Sequence, residues 1–408
     1  MEGSAFFYRL GVFLCRALRM SFFKRNLFHY LNFFEFKDNG IFAYQANRGI
    51  PVLVSRIDCS AYSEKIKMKY DNILNTVGNT PCVRLNTFDT QGVNVYLKME
   101  TTNPGGSIKD RIAISMLEKA ESKGILRKGM IVIEPSSGNT AIGLAMACAA
   151  KGYKFIAILD RMVPSAKRDK IKAYGADIIF LPEFEDGIDT VLYRIELTKK
   201  IISLYPNAFS PMQFENEDNP QEHYDSTARE IYSQFSGDIS GVFITAGSCG
   251  TITGVSRYLK EMNPEIKVFA VEPNGSIIFG GEAGKYFVQG AGLAFRPKIL
   301  NDRYINDAIK ISDFTAFKIA RELARKEGIL IGGTGACALS AGLERLNQFK
   351  PGDNIVIIIP DSGERYVDTI YNDIWLAEHG FSELIEKSDC DNELTSLVYE
   401  LGCTLNDF

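Results

Sequence analysis

Residues 130–159 have the sequence MIVIEPSSGNTAIGLAMACAAKGYKFIAIL, and no other stretch says as much about the fold class. It begins with a short apolar run, passes through small polar residues into an alanine-rich helical run, and ends in a second apolar run. A strand, a helix and a second strand at this spacing form a βαβ unit, which belongs to a parallel sheet. We therefore predict an α/β protein with mostly parallel sheets.

The same alternation continues over most of the chain. The predicted strands cover residues 95–98, 130–134, 154–159, 177–181, 241–245, 267–271 and 354–359. The predicted helices cover residues 110–123, 140–151, 165–174, 187–204, 221–234, 251–261, 313–326 and 336–347. In such sheets, ligands bind where the carboxyl ends of strands lead into helices. We therefore expect the chemistry in those loops.

Composition narrows the class of protein. The 408 residues are 46% apolar and 24% charged, which is ordinary for a soluble globular protein of one to three domains. With 46 basic and 50 acidic residues, the net charge of -4 gives no support for nucleic-acid binding as the main task. Eight scattered cysteines without a CxxC pair indicate reduced thiols in a cytosolic protein. The three histidines leave little material for a metal site or a Ser-His-Asp triad.

The two ends of the chain differ from its body. Residues 1–34 are aromatic and basic, and Arg9 and Arg16 interrupt an apolar run that is too short for a transmembrane helix. Such a start fits an organelle-targeting peptide or a membrane-surface helix. We favour an extension without a folded role, because a domain-like pattern opens at Met68. Residues 382–408 are predicted to form an acidic, loosely ordered tail.

The first loop with chemistry spans residues 103–111 and contains Lys109 at the predicted start of a helix. The positive end of the helix dipole lowers the pKa of an amine placed there. A lowered pKa suits a lysine that acts as a nucleophile or forms a Schiff base. The alternative is a surface lysine on an amphipathic helix.

The remaining loops also lie before predicted helices. Residues 134–140 include Ser136, Ser137, Gly138, Asn139 and Thr140, a group that can receive a carboxylate or simply cap the helix. Residues 247–251 can hold a phosphate or form a tight structural turn, and they consist of Gly247, Ser248, Cys249, Gly250 and Thr251. In residues 331–336, the hydroxyl of Thr334 can serve a ligand or cap the next helix.

Taken together and in this order, the loops resemble the cysteine synthase / cystathionine β-synthase family of pyridoxal-phosphate enzymes. The resemblance covers residues 70–381 and includes VGNTP at 77–81, QF at 213–214, QGAG at 289–292 and GERY at 363–366. It implies a fold-type II, tryptophan synthase β-like architecture with two interleaved α/β domains and pyridoxal 5'-phosphate between them. The catalytic unit would span 68–381, with a smaller mobile subdomain at about 108–211. The family also implies a homodimer.

The resemblance assigns roles to individual residues. Lys109 matches the lysine that forms the internal aldimine, and Asn139 matches the partner of the cofactor's ring hydroxyl. The phosphate cradle corresponds to Gly247, Ser248, Cys249, Gly250 and Thr251. Thr334 matches the hydroxyl that meets the pyridine nitrogen. The substrate carboxylate would be bound by Ser136, Ser137, Gly138, Thr140 and Gln213.

The implied reaction is β-replacement on an O-activated L-serine through an α-aminoacrylate intermediate, with Lys109 as general base. Residues 366–376 and 275–281 resemble N-(2-amino-2-carboxyethyl)-L-glutamate synthases, which join L-glutamate to O-phospho-L-serine in staphyloferrin B siderophore and diaminopropionate biosynthesis. Arg194 lies where that branch places an arginine for the substrate phosphate. An equal alternative for Arg194 is one more solvated charge on its helix.

Two residues favour a different branch. Phe214 and Gly247 match true cysteine synthases, which use O-acetyl-L-serine and sulfide. The sequence therefore leaves a glutamate-using synthase and a cysteine synthase open, and a non-catalytic cofactor-bound sensor or scaffold as a third possibility. In every case we predict small amino-acid substrates as partners and no nucleic acid, and the sequence gives no firm evidence for a membrane.

Overall fold

The computed structural model describes residues 34–37, 40–43, 57–58, 69–136, 138–161, 163, 165–184 and 189–385. The chain divides into two compact units, residues 1–71 and 72–408. In the first unit, β1 (Phe34–Lys37), β2 (Gly40–Ala43) and β3 (Ile57–Asp58) form an antiparallel sheet in that order. Most of the predictions for residues 1–34 and for the tail lie outside the described residues.

The described part of the second unit contains a large sheet with the strand order β12-β11-β10-β13-β5-β4. Its strands are β4 (Cys82–Arg84), β5 (Asn94–Met99), β10 (Gly241–Thr245), β11 (Lys267–Pro273), β12 (Asp307–Ile311) and β13 (Asn354–Ile359). All neighbours are parallel except β4 and β5. The interior strands are continuous apolar runs, as expected where helices cover both faces.

A smaller parallel sheet has the order β8-β7-β6-β9 within the described residues. Its strands are β6 (Ile131–Glu134), β7 (Lys154–Leu159), β8 (Asp177–Phe180) and β9 (Ala208–Phe209). They all fall within the range 108–211 that the sequence predicts for the smaller subdomain. The boundaries and the mobility of that subdomain stay predictions.

The helices follow the predicted positions closely. They are α1 (Lys109–Ser122), α2 (Asn139–Lys151), α3 (Ser165–Ala173), α4 (Thr190–Leu204), α5 (Asp218–Glu222), α6 (Ala228–Gln234), α7 (Gly250–Met262), α8 (Asp313–Glu327), α9 (Gly333–Glu344) and α10 (Asp373–Glu378). The helix predicted over 221–234 is not continuous, because a π-helical stretch, His223–Thr227, separates α5 from α6. Such stretches are frequent at functional sites.

The hydrophobic core reaches further than the sequence indicates. Phe381 and Leu384 are both buried in the apolar cluster beneath the large sheet, so the first residues of the segment predicted as a tail pack against the core. The described cysteines, Cys82, Cys148, Cys249 and Cys337, are free thiols, as predicted. No helix among the described residues is long and apolar enough to span a bilayer.

Candidate active site

One cavity collects residues from all the loops that the sequence singled out. It lies at the carboxyl edge of the large sheet, where β10 and β13 end side by side. The predicted site residues that line it are Lys109, Asn139, Gly247, Ser248, Cys249, Thr251 and Thr334. The other lining residues are Ile108, Ile244, Thr245, Gly290, Ile358 and Pro360.

The helices that begin at this cavity are not capped by side chains. In the described structure, the N-cap residues Ile108, Gly138, Cys249 and Gly332 of α1, α2, α7 and α9 make no side-chain cap hydrogen bond. Elsewhere the side chains of Asp189, Ser312 and Asn372 cap α4, α8 and α10.

The capping alternative is therefore wrong for two of the loops. Asn139 and Thr334 lie inside the first turns of α2 and α9, each behind a glycine in the cap position. Both residues line the cavity, and neither helix start has a side-chain cap. A helix start of this kind is suited to an anionic ligand.

Lys109 is the first residue of α1, and the chain before it is tied to the end of β13. Ile108 N–H donates to Pro360 O at 2.8 Å, and Ser107 forms an antiparallel bridge with Asp361. Burial lowers the pKa of Lys109, although the nearby Asp361 carboxylate opposes this. A cavity-lining amine with a lowered pKa fits the nucleophile or base interpretation better than the surface-lysine alternative.

Asp361 is a site residue that the sequence analysis missed. Its fully buried carboxylate accepts hydrogen bonds from Tyr366 Oη at 2.6 Å, Asn139 Nδ2 at 2.8 Å and Thr334 Oγ1 at 3.3 Å. Thr334 is neutral, as the sequence indicates, but a carboxylate stands directly behind it. The available signal was position, because Asp361 follows the carboxyl end of a predicted strand.

Two charged groups fix the orientation of the Asn139 amide. Its Oδ1 accepts from Arg365 Nη1, while its Nδ2 donates to Asp361. With a donor on one side and an acceptor on the other, only one amide orientation satisfies both partners. One hydrogen of Nδ2 stays available for a ligand. Arg365 is thus a positioning residue that the sequence analysis quoted in a motif without giving it a role.

The loop from Gly247 to Thr251 joins β10 to α7, and there is no room for a side chain at its two glycines. A Cβ at Gly247 would lie 2.7 Å from Gly290 O, and a Cβ at Gly250 would lie 1.8 Å from Asn219 Oδ1. The left-handed residue of the loop is Cys249, with φ 69°. The structure therefore requires the glycine at 250 for lack of room, not for its backbone angles.

His223 contacts this loop through Thr251, and the sequence analysis did not predict this contact. It is fully buried on the π-helical stretch, and its Nε2 lies 3.2 Å from Thr251 Oγ1. Burial lowers the pKa of His223 well below its usual value, and the charges of Lys109 and Arg111 act in the same direction. The imidazole is therefore neutral at physiological pH. A single histidine on a helical pattern carries no sequence signal for such a role.

Cys249 provides a direct test of the loop conformation. Cys249→Gly should leave cofactor affinity within about threefold, because it removes a left-handed cost of roughly 1–2 kcal/mol while giving up one small buried side chain. Cys249→Val should weaken cofactor binding about tenfold or more, because a β-branched residue is strained at positive φ. Both dissociation constants can be measured by fluorescence titration, and equal affinities for the two variants would contradict the assigned conformation.

The residues predicted to bind a substrate carboxylate lie beside the cavity without lining it. Thr140 Oγ1 donates to Gln213 Oε1 at 2.7 Å, and Gly138 N–H donates to Ser136 Oγ at 3.4 Å. Gln213 N–H donates in turn to Glu134, a carboxyl whose pKa burial raises to about 7. Ser137 lies outside the described residues. The carboxylate-binding role of this group stays a prediction.

Arg194 is placed differently from the other predicted residues. It is buried on α4 and forms an ion pair with Asp160, just after β7, and it does not line the described cavity. The solvated-charge alternative is therefore wrong, since this guanidinium is 5% exposed. Its role toward a substrate phosphate stays a prediction.

A family model described as "Pyridoxal-phosphate dependent enzyme" matches residues 73–361. A cysteine synthase of Staphylococcus aureus is 39% identical over 302 residues, which cover 73% of this chain and 96% of that protein. An O-ureido-L-serine synthase with bound O-ureido-L-serine superimposes with a TM-score of 0.72 at 32% identity, covering 81% of this chain and 98% of that one. An O-acetylserine dependent cystathionine beta-synthase of Helicobacter pylori gives a TM-score of 0.70 at 32% identity, covering 75% and 100%.

Proposed function

The chain belongs to the pyridoxal-phosphate dependent enzyme family, and we propose that it joins L-glutamate to O-phospho-L-serine to give N-(2-amino-2-carboxyethyl)-L-glutamate. The broader activity does not depend on this choice of substrates. The relatives identify a fold-type II enzyme of the cysteine synthase and cystathionine β-synthase type, which carries out pyridoxal-phosphate dependent β-replacement. The proposal concerns which donor and which nucleophile it uses.

The cavity fits pyridoxal 5'-phosphate by the chemistry of its donors. Lys109 would hold the aldehyde carbon, and the uncapped first turn of α7 would hold the phosphate. Asn139 Nδ2 and Thr334 Oγ1 are the groups for the ring hydroxyl and the ring nitrogen. When bound, the cofactor withdraws electrons from the substrate, which makes the α-proton acidic and the β-substituent easier to expel.

The residues of the chain would then transfer the α-proton of the substrate and hold the groups that contact the ring. Lys109, with its lowered pKa, can take the α-proton and return it. Asp361 holds the Asn139 amide in place, so its contact to the ring hydroxyl would be preorganised. The Thr334 hydroxyl gives its single hydrogen to Asp361, so it would meet the ring nitrogen as an acceptor. The uncapped start of α2 lies next to Asn139, where it favours the negatively charged carboxylate of an amino acid.

One observation supports the glutamate-using branch in particular. The segment 366–376, which resembles that branch, supplies Tyr371, which bonds to a loop of the site. Tyr371 Oη donates to Ile331 O at 2.7 Å, just before Thr334. A segment in direct contact with an active-site loop can influence which substrate the site accepts.

A second candidate, cysteine synthase, has its own support. The glutamate-using branch tends to have serine where this chain has Gly247, and a Cβ there would lie 2.7 Å from Gly290 O. Phe214 packs edge-on against Phe295 at 5.8 Å, in a place where that branch tends to have tyrosine. Both features favour O-acetyl-L-serine or O-phospho-L-serine with sulfide, giving L-cysteine. The sensor or scaffold possibility has no such support.

A crossed product assay separates these functions. The purified holoenzyme is incubated with O-phospho-L-serine or O-acetyl-L-serine, each combined with L-glutamate or sulfide, and the products are identified by mass spectrometry. We expect the pair of O-phospho-L-serine and L-glutamate to give a kcat/KM at least about a hundredfold above any other pair, within the range that buried polar recognition can provide. Cysteine from sulfide as the dominant product would establish the second candidate, and no product from any pair would favour the sensor.

Three further statements belong to the same proposal. A homodimeric assembly and a place in siderophore or diaminopropionate biosynthesis rest on the resemblance, and a cytosolic location rests on the scattered cysteines. Light scattering of the purified protein tests the first of them, with twice the mass of the 45.5 kDa chain as the expected result.

A further inference from the structure

A second cavity, of about 510 Å³, lies next to the active site. Its walls come from the loop before α1, from α2 and α3, and from the segment after β13. Arg365 connects it to the first cavity, because this side chain lines the second cavity and donates to Asn139, which lines the first. We call it the cationic cavity, after its charged lining residues Lys167, Lys170 and Arg365.

These three cations are hydrogen-bonded only to neutral oxygens in the described part of the chain. Lys167 Nζ donates to Gln289 Oε1 at 2.5 Å, and Lys170 Nζ donates to Gly105 O at 2.9 Å. Arg365 donates to Asn139 Oδ1 and also to Gly105 O. Each ammonium carries three donors, so both lysines keep donors beyond these bonds.

Two other buried cations of this protein, Arg111 and Lys98, form ion pairs. Arg111 lies between Glu100 and Glu230 at 2.8 and 2.7 Å, and Lys98 pairs with Glu230 at 2.7 Å. Such pairing is expected, because an uncompensated charge is costly to bury. A set of cations around a cavity that lacks ion-pair partners among the described residues therefore departs from the rule that the rest of the chain follows.

The charges that surround the cationic cavity do not neutralise it. Glu364 lines the cavity but is exposed, so solvent screens its carboxylate. Asp361 and Asp110 act on Lys167 and Lys170 from outside the lining. Lys167 is 5% exposed, and burial lowers its pKa to about 8 while Asp361 opposes the shift. Lys167, the most deeply buried of the three, is therefore still mostly protonated at neutral pH.

We propose that the cationic cavity binds the acid group that an amino-acid substrate carries beyond its α-carboxylate, with Lys167, Lys170 and Arg365 as its ligands. This rests on the proposed function, in which the distal carboxylate of L-glutamate is that group. The same chemistry would suit the phosphate of O-phospho-L-serine. Sulfide and O-acetyl-L-serine offer no such acid group, so a cysteine synthase that uses them would have no use for this site.

The test measures binding to the holoenzyme by calorimetry with unreactive probes. L-Glutamate is compared with L-glutamine, and inorganic phosphate is titrated separately. Lys167→Gln and Lys170→Gln should each reduce the preference for glutamate over glutamine by about tenfold or more, as expected for the loss of a hydrogen bond to a charged group. Lys172→Gln is the matched control, because Lys172 is exposed on the same helix and does not line the cavity.

The outcomes separate the sources of the anion. A lost glutamate preference assigns the site to the nucleophile, while weakened phosphate binding alone assigns it to the leaving group of the donor. If neither probe is affected, or if Lys172→Gln has the same effect as the other two variants, the site does not exist. The product assay judges the proposed function independently: cysteine formed from O-phospho-L-serine, with phosphate binding that depends on Lys170, would keep the site and reject the glutamate reaction.

Discussion

Replacing Lys109 with alanine should lower kcat/KM by at least about 10³-fold while leaving the fold intact. General acid–base transfer alone contributes about 10²–10⁴-fold, and this variant also loses the covalent hold on the cofactor. No other lysine lines the same cavity among the described residues, so no neighbouring amine can take over. The measurements are steady-state turnover, and mass spectrometry after borohydride reduction, which should show the cofactor fixed to the parent protein and not to the variant.

Lys119→Ala is the control for this experiment. Lys119 lies on the same helix, α1, outside the cavity, and its side chain is 30% exposed beside Asp218 at 3.8 Å. The pair is half-buried, too far apart for a hydrogen bond and outside the cavity, so turnover should stay within about twofold of the parent. If Lys109→Ala retained a tenth of the parent activity, Lys109 could not be the base, and the assignment of the whole cavity would need revision.

The sequence was sufficient to predict the strands that are buried on both faces. β5, β10, β11 and β13 are interior strands with long apolar runs, and each was predicted within three residues. Within the second unit, the strands that were missed are β4, β9 and β12, and each lies at the edge of a sheet. Edge strands are short and half exposed, so their residues carry little of the apolar pattern on which the predictions depend.

The site was predictable only where its residues follow local rules. Lys109, Asn139 and the loop before α7 come directly before helices, so the position of each is visible in the sequence. Asp361 is different, because its importance comes from Asn139, Thr334 and Tyr366, which reach it only in the folded chain. A single aspartate in a sequence gives no indication of which donors will surround it.

Helix capping is a second reason why the sequence alone could not identify all the site residues. Serine, threonine and asparagine are favoured both as caps and as ligand-binding residues, so their presence before a helix does not separate the two roles. The separation comes from a shift of one or two residues along the helix. Gly138 and Gly332 occupy the cap positions, which moves Asn139 and Thr334 into the first turns and toward the cavity.

Gly250→Ala should weaken cofactor retention by about tenfold or more, because an added methyl group comes closer to a neighbour here than at any other described glycine. The added Cβ would lie 1.8 Å from Asn219 Oδ1, and Asn219 is fully buried. Asn219 Nδ2 also donates to Gln213 O at 2.8 Å and to Ser248 Oγ at 3.3 Å, so its displacement would disturb the phosphate loop. Overpacking of this kind costs roughly 1–3 kcal/mol, and about 1.4 kcal/mol corresponds to a tenfold change in affinity.

The control must separate crowding at the loop from a general loss of stability. Gly175→Ala serves this purpose, because Gly175 has φ 82° and its added Cβ would meet nothing within 4 Å among the described residues. It should lower the melting temperature through backbone strain while the cofactor dissociation constant stays within about twofold. If Gly250→Ala kept its cofactor through dialysis as well as the parent, the phosphate would have to bind elsewhere. Together with a tolerated Cys249→Gly, loss of cofactor in Gly250→Ala would show that this loop is limited by space at residue 250 and by backbone angle at residue 249.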